Sequence, residues 1–470
     1  MLFSGSIFLF MFLPCVLFGY YVLFRKSRLL QNLFLLCASL LFYAWGEPKF
    51  VLVMILSIAA NWFFGLLVHK YKGRKTSIRL VLTLAAMFNL GVMFIFKYLM
   101  FTLNNINGLF GSDLPVPVIA LPIGISFFTF QAFSYVLDVN RETGEMQKNP
   151  LYVGLYISFF PQLIAGPIVR YETIAAEIKN RRETVEDFTE GTTRFLIGFS
   201  KKILLANNMA LIADSAFDSR ESISVAFAWL GVLAYAFQIY YDFSGYSDMA
   251  IGMGKMFGFH FLENFDYPYI SKSISEFWRR WHISLGTWFR DYVYFPLGGS
   301  RVKTKSRLVF NLFVVWFLTG VWHGANWTFI LWGLMYFALI TAEKLSGFEN
   351  RLKKLGLVKY AYTMLFVLFG WVLFRAENLT AAGLYFRSLF GLAGNAFSGG
   401  DFALHFNRSL VFLIAAALFS FPVAKTIRAK ITGRRKALDL LYVPAILVLF
   451  VVSVSYVVKG SYNPFIYFNF

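Results

Sequence analysis

Long apolar runs alternate with short polar clusters along most of this chain. The first run covers about 6–24 and is followed by Arg25, Lys26 and Arg28. A second, about 30–45, stops at Gly46-Glu47-Pro48. A third, about 49–68, leads into Lys70, Lys72, Arg74, Lys75 and Arg79. The fourth, about 80–101, ends in the polar stretch Asn104-Asn105-Ile106-Asn107-Gly108. Later runs lie at about 224–241, 308–323, 326–342, 360–375, 404–424 and 439–458. About 20 apolar residues cross a bilayer once as a helix. The pattern predicts an all-α polytopic membrane protein with about 11–12 transmembrane helices, broken ones included.

Between 119 and 220 the runs are short. Leu121-Pro122-Ile123-Gly124, Phe160-Pro161-Gln162 and Ala165-Gly166-Pro167 interrupt them. Proline and glycine are tolerated at membrane depth where protein or a water-filled cavity covers the freed backbone. The polar segment from Arg170 to Arg194 reads as a cytoplasmic helix pair, with Thr184 capping the second helix before Val185. No Gly/Ser linker and no internal repeat divides the chain, so residues 1–470 read as a single integral-membrane domain.

Composition agrees: 58% of the residues are hydrophobic, where soluble proteins are about half apolar or less. Aromatics reach 20%, which suits lipid contact and interfacial belts. The net charge of +19 raises the question of a nucleic-acid partner. That partner is rejected, because the Lys and Arg sit in short loops between apolar runs, as the positive-inside rule requires. No charge precedes the first run, so it is not a cleavable signal peptide, and the N-terminus is expected outside. Lys425, Arg428, Lys430, Arg434, Arg435 and Lys436 form the strongest basic loop, which places it in the cytoplasm. The run at 439–458 then exits, and the tail from Ser461 to Phe470, with the C-terminus, is expected outside. Cys15 and Cys37 lie in apolar runs, form no disulfide framework and are expected to pack in the core.

Polar groups inside so apolar a chain are costly and usually functional. Two stretches stand out: Ser273 to Tyr292 and Gly320 to Trp327. The first packs Glu276, Arg279, Arg280, His282, Arg290 and Asp291 among Phe277, Trp278, Trp281 and Trp288. The second holds His323 between Trp322 and Gly324, with Asn326 and Trp327 close by. A desolvated imidazole there stays neutral near pH 7, as a general base must, and small neighbours let a long thin substrate approach the backbone. On a continuous helix, Trp278 and Arg279 stand four and three residues from His282 and share its face. The bland alternative is an amphipathic interfacial helix with Arg279, Arg280 and Arg290 on lipid phosphates. Such a helix could also hold the phosphates of a nucleotide-bearing donor. His69, beside a basic loop, is expected to be solvated, and His260 and His405 to be packing or interfacial residues. Asp242 and Asp248 are read as a buried ion pair with a loop arginine, or a cap, in preference to acid/base groups. Gly252-Met253-Gly254-Lys255 is not a phosphate loop, and no metal motif is present.

Trp278-Arg-Arg-Trp-His-Ile-Ser-Leu-Gly-Thr-Trp-Phe-Arg-Asp-Tyr292 and Trp322-His323-Gly324 resemble the signature of membrane-bound O-acyltransferases. The nearest branch is bacterial and acetylates alginate or peptidoglycan; the teichoic-acid D-alanyl transfer protein is related to it. Leu121 to Phe127, Leu163 to Pro167, Tyr241 to Asp248 and Asn264 to Ile270 are similar to the alginate type. The resemblance implies a helical shell around a central tunnel. It implies His323 as the catalytic histidine and His282 as a second, more variable polar position. Trp278, Arg279, Arg280, Trp281, Trp322 and Asn326 are the implied substrate-binding residues. The tail Phe465 to Phe470 is similar to the end of a small partner peptide of the D-alanylation system, in which a tyrosine carries the acyl group, and this points to Tyr467.

The mechanism implied by the resemblance is a relay in the bacterial cytoplasmic membrane. A cytosolic thioester, acetyl-CoA, is the donor, and no cofactor is bound permanently. His323 activates the acceptor hydroxyl, Tyr467 carries the acyl group, and an extracytoplasmic acetyltransferase partner moves it to a polysaccharide. Two alternatives stay open at this point: D-alanyl transfer to teichoic acid from a carrier-protein thioester, and a non-catalytic transporter, although the repeated halves common in transporters are missing.

Overall fold

In the computed structural model of the protein the apolar runs are helices, since a backbone in hydrocarbon must satisfy its own N–H and C=O groups. The structure describes residues 1–164, 166–219, 223–348, 355–423, 426, 435–460, 462–464 and 466, with backbone only for 435–441. Among them eight helices are long and apolar enough to cross a membrane. They are Arg28–Gly46, Val51–Lys70, Lys75–Phe110, Val185–Phe217, Lys305–His323, Trp327–Ser346, Val358–Arg375 and Gly400–Phe419. Phe8–Leu23 and Tyr442–Val458 are shorter apolar helices at the first and last expected spans. No strand occurs among the described residues.

Two expectations about element boundaries change. The second helix of the polar pair begins where its cap demands, with the Asp187 N–H donating to Thr184 Oγ1 at 3.0 Å. It does not stop at the polar segment, however, but runs to Phe217 through a π-turn at Lys201–Ala206. The run at about 224–241 is likewise the first part of one 32-residue helix, Val225–Met256. Tyr241 to Asp248 therefore lies inside a helix, with no proline to end it.

The chain forms two compact units, one of Met1–Phe195 with Tyr246–Leu262, the other of Leu196–Gly245 with Glu263–Phe470. In the first, buried Phe3, Phe8, Phe12, Phe42 and Phe160 form one aromatic cluster. Buried Arg181 donates to Asn32 at 2.7 Å and to the Tyr20 hydroxyl at 2.8 Å, and lies over the Phe259 ring. Arg194 pairs with Asp248 at 2.9 Å, so that aspartate is an ion-pair member as expected, although its arginine lies on a helix and not in a loop. His69 is exposed. His260 is not packed: its ring stands between Glu177 at 2.9 Å and Asp187 at 3.3 Å. Cys15 and Cys37 correct the core expectation, since both are exposed. Each sits on the outward face of an apolar helix, where a small polarisable thiol suits lipid as well as a core.

The second unit holds the largest apolar cluster, in which Trp332, Trp371, Tyr235, Tyr241 and Tyr336 are fully enclosed. His405 stacks on Phe227 there, as a packing residue. Lys305–His323 and Trp327–Ser346 form a tight hairpin within this unit. It closes on two glycines: a β-carbon at Gly320 would lie 2.6 Å from the Phe329 carbonyl oxygen, and one at Gly333 2.5 Å from that of Trp316. Only hydrogen at both positions lets the two backbones approach this far.

Candidate active site

His323 is the last residue of the Lys305–His323 helix, and the Gly320–Gly333 crossing just before it sets where its side chain goes. The residue is 6% exposed. Its ring meets the edges of Trp332 at 4.9 Å and Phe374 at 5.0 Å, and Trp322 at 5.0 Å. Gly324 was expected to give a substrate access to the backbone. Instead the Phe329 ring fills the place where its β-carbon would stand, so this glycine serves packing. Asn326 caps the next helix: its Oδ1 accepts from the Thr328 N–H at 3.1 Å and its Nδ2 donates to the Glu377 carbonyl at 2.6 Å.

Ser273 to Tyr292 is not one helix. Ile274–Arg280 ends, Trp281 is extended, His282 takes φ +46°, and Ile283–Phe289 follows. Trp278 and Arg279 therefore do not share a helical face with His282, which corrects that expectation. The break has a visible cause, because the 263–267 segment pairs with this corner. Phe265 bridges Trp281, the Asp266 N–H donates to the Arg280 carbonyl at 3.0 Å, and the Ile283 N–H donates to the Asn264 carbonyl at 3.0 Å. Non-glycine residues at positive φ are uncommon and cluster at functional sites, histidine among the better tolerated.

Asn264 completes the corner. Its Oδ1 accepts from Ser284 N–H at 3.2 Å and Ser284 Oγ at 2.9 Å, and lies 3.0 Å from His282 Nδ1. An oxygen already accepting two bonds requires a donor at Nδ1, so the proton sits there and the lone pair of the neutral ring is at Nε2. Burial pushes the His282 pKa down to about 3, so the ring is neutral at physiological pH. Buried Glu343 holds the other end of the short helix, accepting from Ile274 N–H at 2.8 Å, Ser275 N–H at 2.9 Å and Ser275 Oγ at 2.6 Å. Asn264 opens the Asn264–Ile270 string of the resemblance, which gave it no role of its own, and Glu343 belongs to none of the strings. A lone acid at the end of an apolar run was the signal available for Glu343.

A cavity of about 390 Å³ opens against this corner. Trp278, Trp281 and Trp316 wall it, His282 lines it, and Arg279, Arg290 and Lys344 bring cationic side chains to it. Thr319, one turn before His323 on the same helix, also lines it. Four of the expected site residues thus meet in one place: Trp278, Arg279, Trp281 and His282. Arg280 does not join them; it pairs with Asp266 at 2.9 Å and Glu276 at 3.0 Å. His323 and Trp322 stand apart from the lining, yet the Trp322 ring touches both imidazoles, at 6.2 Å from His282 and 5.0 Å from His323. Tyr467 lies outside the described residues. The arrangement offers two buried imidazoles linked by an indole, beside an aromatic cavity with cationic groups.

Comparison with known proteins fits this chemistry. A protein of Pseudomonas putida named as a probable alginate O-acetylase is 40% identical over the full length of both chains. The peptidoglycan O-acetyltransferase of Helicobacter pylori is 36% identical, over 84% of this chain and 80% of its own. The teichoic acid D-alanyltransferase of Bacillus subtilis is 32% identical, over 54% of this chain and 69% of its own. Residues 7–385, which include both histidines and the cavity, match the sequence profile of the MBOAT family. With its helices, its buried histidine pair and these relatives, the chain belongs to the membrane-bound O-acyltransferases and is a multi-pass membrane enzyme of that family.

Proposed function

We propose that this enzyme takes acetyl groups from cytosolic acetyl-CoA and relays them across the bacterial cytoplasmic membrane for O-acetylation of an extracytoplasmic polysaccharide. The observation that carries the reading is the full-length match to the alginate O-acetylase, against 54% coverage by the D-alanyl relative. In this reading the N- and C-termini are extracytoplasmic and the basic loops face the donor. Arg279 and Lys344 supply positive charge for the donor's phosphates, Arg290 being paired with Asp291 at 2.8 Å, and the tryptophans of the cavity take its apolar part.

In the transfer step His323 removes the proton of the Tyr467 phenol as its oxygen bonds to the thioester carbonyl carbon. The carbon–sulfur bond breaks, and the leaving thiolate takes the proton back from the imidazolium. The tail then carries an acetyl ester, which an extracytoplasmic acetyltransferase passes to a sugar hydroxyl. The deciding experiment supplies purified protein with labelled acetyl-CoA. Wild type releases free CoA and gains an acetyl adduct on its C-terminal peptide, while His323→Ala does neither. A folded His323→Ala protein that keeps most of this activity overturns the assignment. Turnover of a D-alanyl carrier thioester in preference to acetyl-CoA overturns the choice of donor.

A further inference from the structure

A second polar site in the Leu196–Gly245 and Glu263–Phe470 unit takes no part in the chemistry above. Lys202, in the π-turn Lys201–Ala206, and Asp242, inside the Val225–Met256 helix, are 2% and 1% exposed and pair at 2.6 Å. A buried ion pair is a poor stabiliser, because the desolvation of two charges offsets their attraction. Its presence invites the question of what else the two groups hold.

Both hold the end of the chain. Asp242 Oδ2 accepts the Ile466 N–H at 2.9 Å, and the Lys202 ammonium donates to the Pro464 carbonyl. Asn207, also buried, donates to Asn463 Oδ1 at 3.3 Å, and the Tyr462 hydroxyl donates to Asp214 at 3.0 Å. The Ile466 side chain is 5% exposed and belongs to the apolar cluster of this unit. One donor and one acceptor, fixed to each other, therefore read a carbonyl and an N–H two residues apart. Charge-assisted bonds to main chain are about twice as strong as neutral ones. The π-turn fits the same purpose, since such turns occur at functional sites.

We infer that Lys202 and Asp242 form a main-chain clamp, a peptide-binding site whose ligand is the enzyme's own C-terminal segment. They are positioning residues. Resting on the reading of Tyr467 as carrier, the clamp anchors Ile466 and so limits where the next residue can travel. Recognition is of backbone plus one apolar side chain, so the site tolerates change at Asn463 better than loss of either charge.

The test uses the full chain with Cys15 and Cys37 replaced by alanine and a reporter thiol at Asn463→Cys, the position whose side chain the clamp tolerates losing. Maleimide labelling should be at least ~10-fold slower than for the same thiol in a free tail peptide, and Lys202→Met or Asp242→Asn should restore at least ~10-fold of that rate. Rapid labelling of the reporter in the otherwise unaltered chain overturns the clamp without any clamp variant having to fold. Unchanged protection in both clamp variants, with thermal midpoints near the parent's, overturns it too. Tail release with the C-terminal acetyl adduct still formed keeps the clamp and shows that loading of the tail does not depend on it. Release that abolishes the C-terminal acetyl adduct supports both the clamp and the carrier role.

Discussion

At the residue scale, His282 and His323 are two imidazoles buried for different ends. His323 is enclosed by rings, and its replacement by Gln should cut acetyl transfer by ~10²–10⁴-fold with membrane abundance unchanged. A tracer assay on matched amounts of purified protein checks this. His282 sits in a left-handed conformation with its Nδ1–H on Asn264. Its pKa is held at about 3 folded, against an unfolded value of about 6.5. The unfolded chain therefore binds the proton first as pH falls. The stabilisation is complete above about pH 6.5 and is lost on acidification, by at most ~1.4 kcal/mol per pH unit down to the folded pKa. His282→Asn tolerates the backbone and cannot titrate. Thermal midpoints measured from pH 7.5 to 4.5 should fall less steeply in that variant than in wild type; identical slopes would refute the assigned protonation state.

At the element scale, short helices here are positioned from outside themselves. Ile274–Arg280 has seven residues, too few to hold its own shape, and its first N–H groups end on the Glu343 carboxylate. Glu343→Leu should cost about 3 kcal/mol or more and release the helix start, while Glu343→Gln, which keeps one acceptor, should cost less. Denaturation in mild detergent with a tryptophan fluorescence readout separates the two. Long helices are positioned by close approach. A β-carbon at Gly245 would stand 2.7 Å from the Gly198 carbonyl oxygen, whereas Gly383 has nothing within 4 Å. Gly245→Ala should therefore destabilise by ~1–3 kcal/mol, and Gly383→Ala should be neutral or stabilise by up to ~1 kcal/mol. Equal effects at the two sites would contradict this packing.

At the scale of the whole molecule, a relay demands sidedness. In the proposed relay the donor binds from the cytoplasmic side and the acylated tail lies on the other. Sealed, oriented vesicles given labelled acetyl-CoA only at their extracytoplasmic face should form no product, and product from that side would reverse the topology. Tyr467→Phe keeps the ring and removes one oxygen. An aromatic belt residue tolerates that change; a carrier does not, and intact-mass analysis should show the C-terminal adduct vanish with the oxygen.

The class, the helices and the family are legible in the chain without coordinates. Runs of about 20 apolar residues leave a backbone no other solution in a bilayer, and the Trp-Arg-Arg-Trp-His and Trp-His-Gly strings are read directly. The first of these strings misled about local form: its residue types suit a continuous helix, and the turn at His282 comes from Asn264 and Phe265, neighbours in space that no periodicity reveals. Which polar residues meet is a matter of the folded molecule. Arg279 faces the cavity while Arg280 is spent on Glu276 and Asp266, although the two are adjacent in the chain. Glu343 reaches Ser275 across 68 positions, and Asp242 reaches Ile466 across 224. Such pairings depend on how helices cross, and a one-dimensional pattern carries the faces of helices but not their crossings.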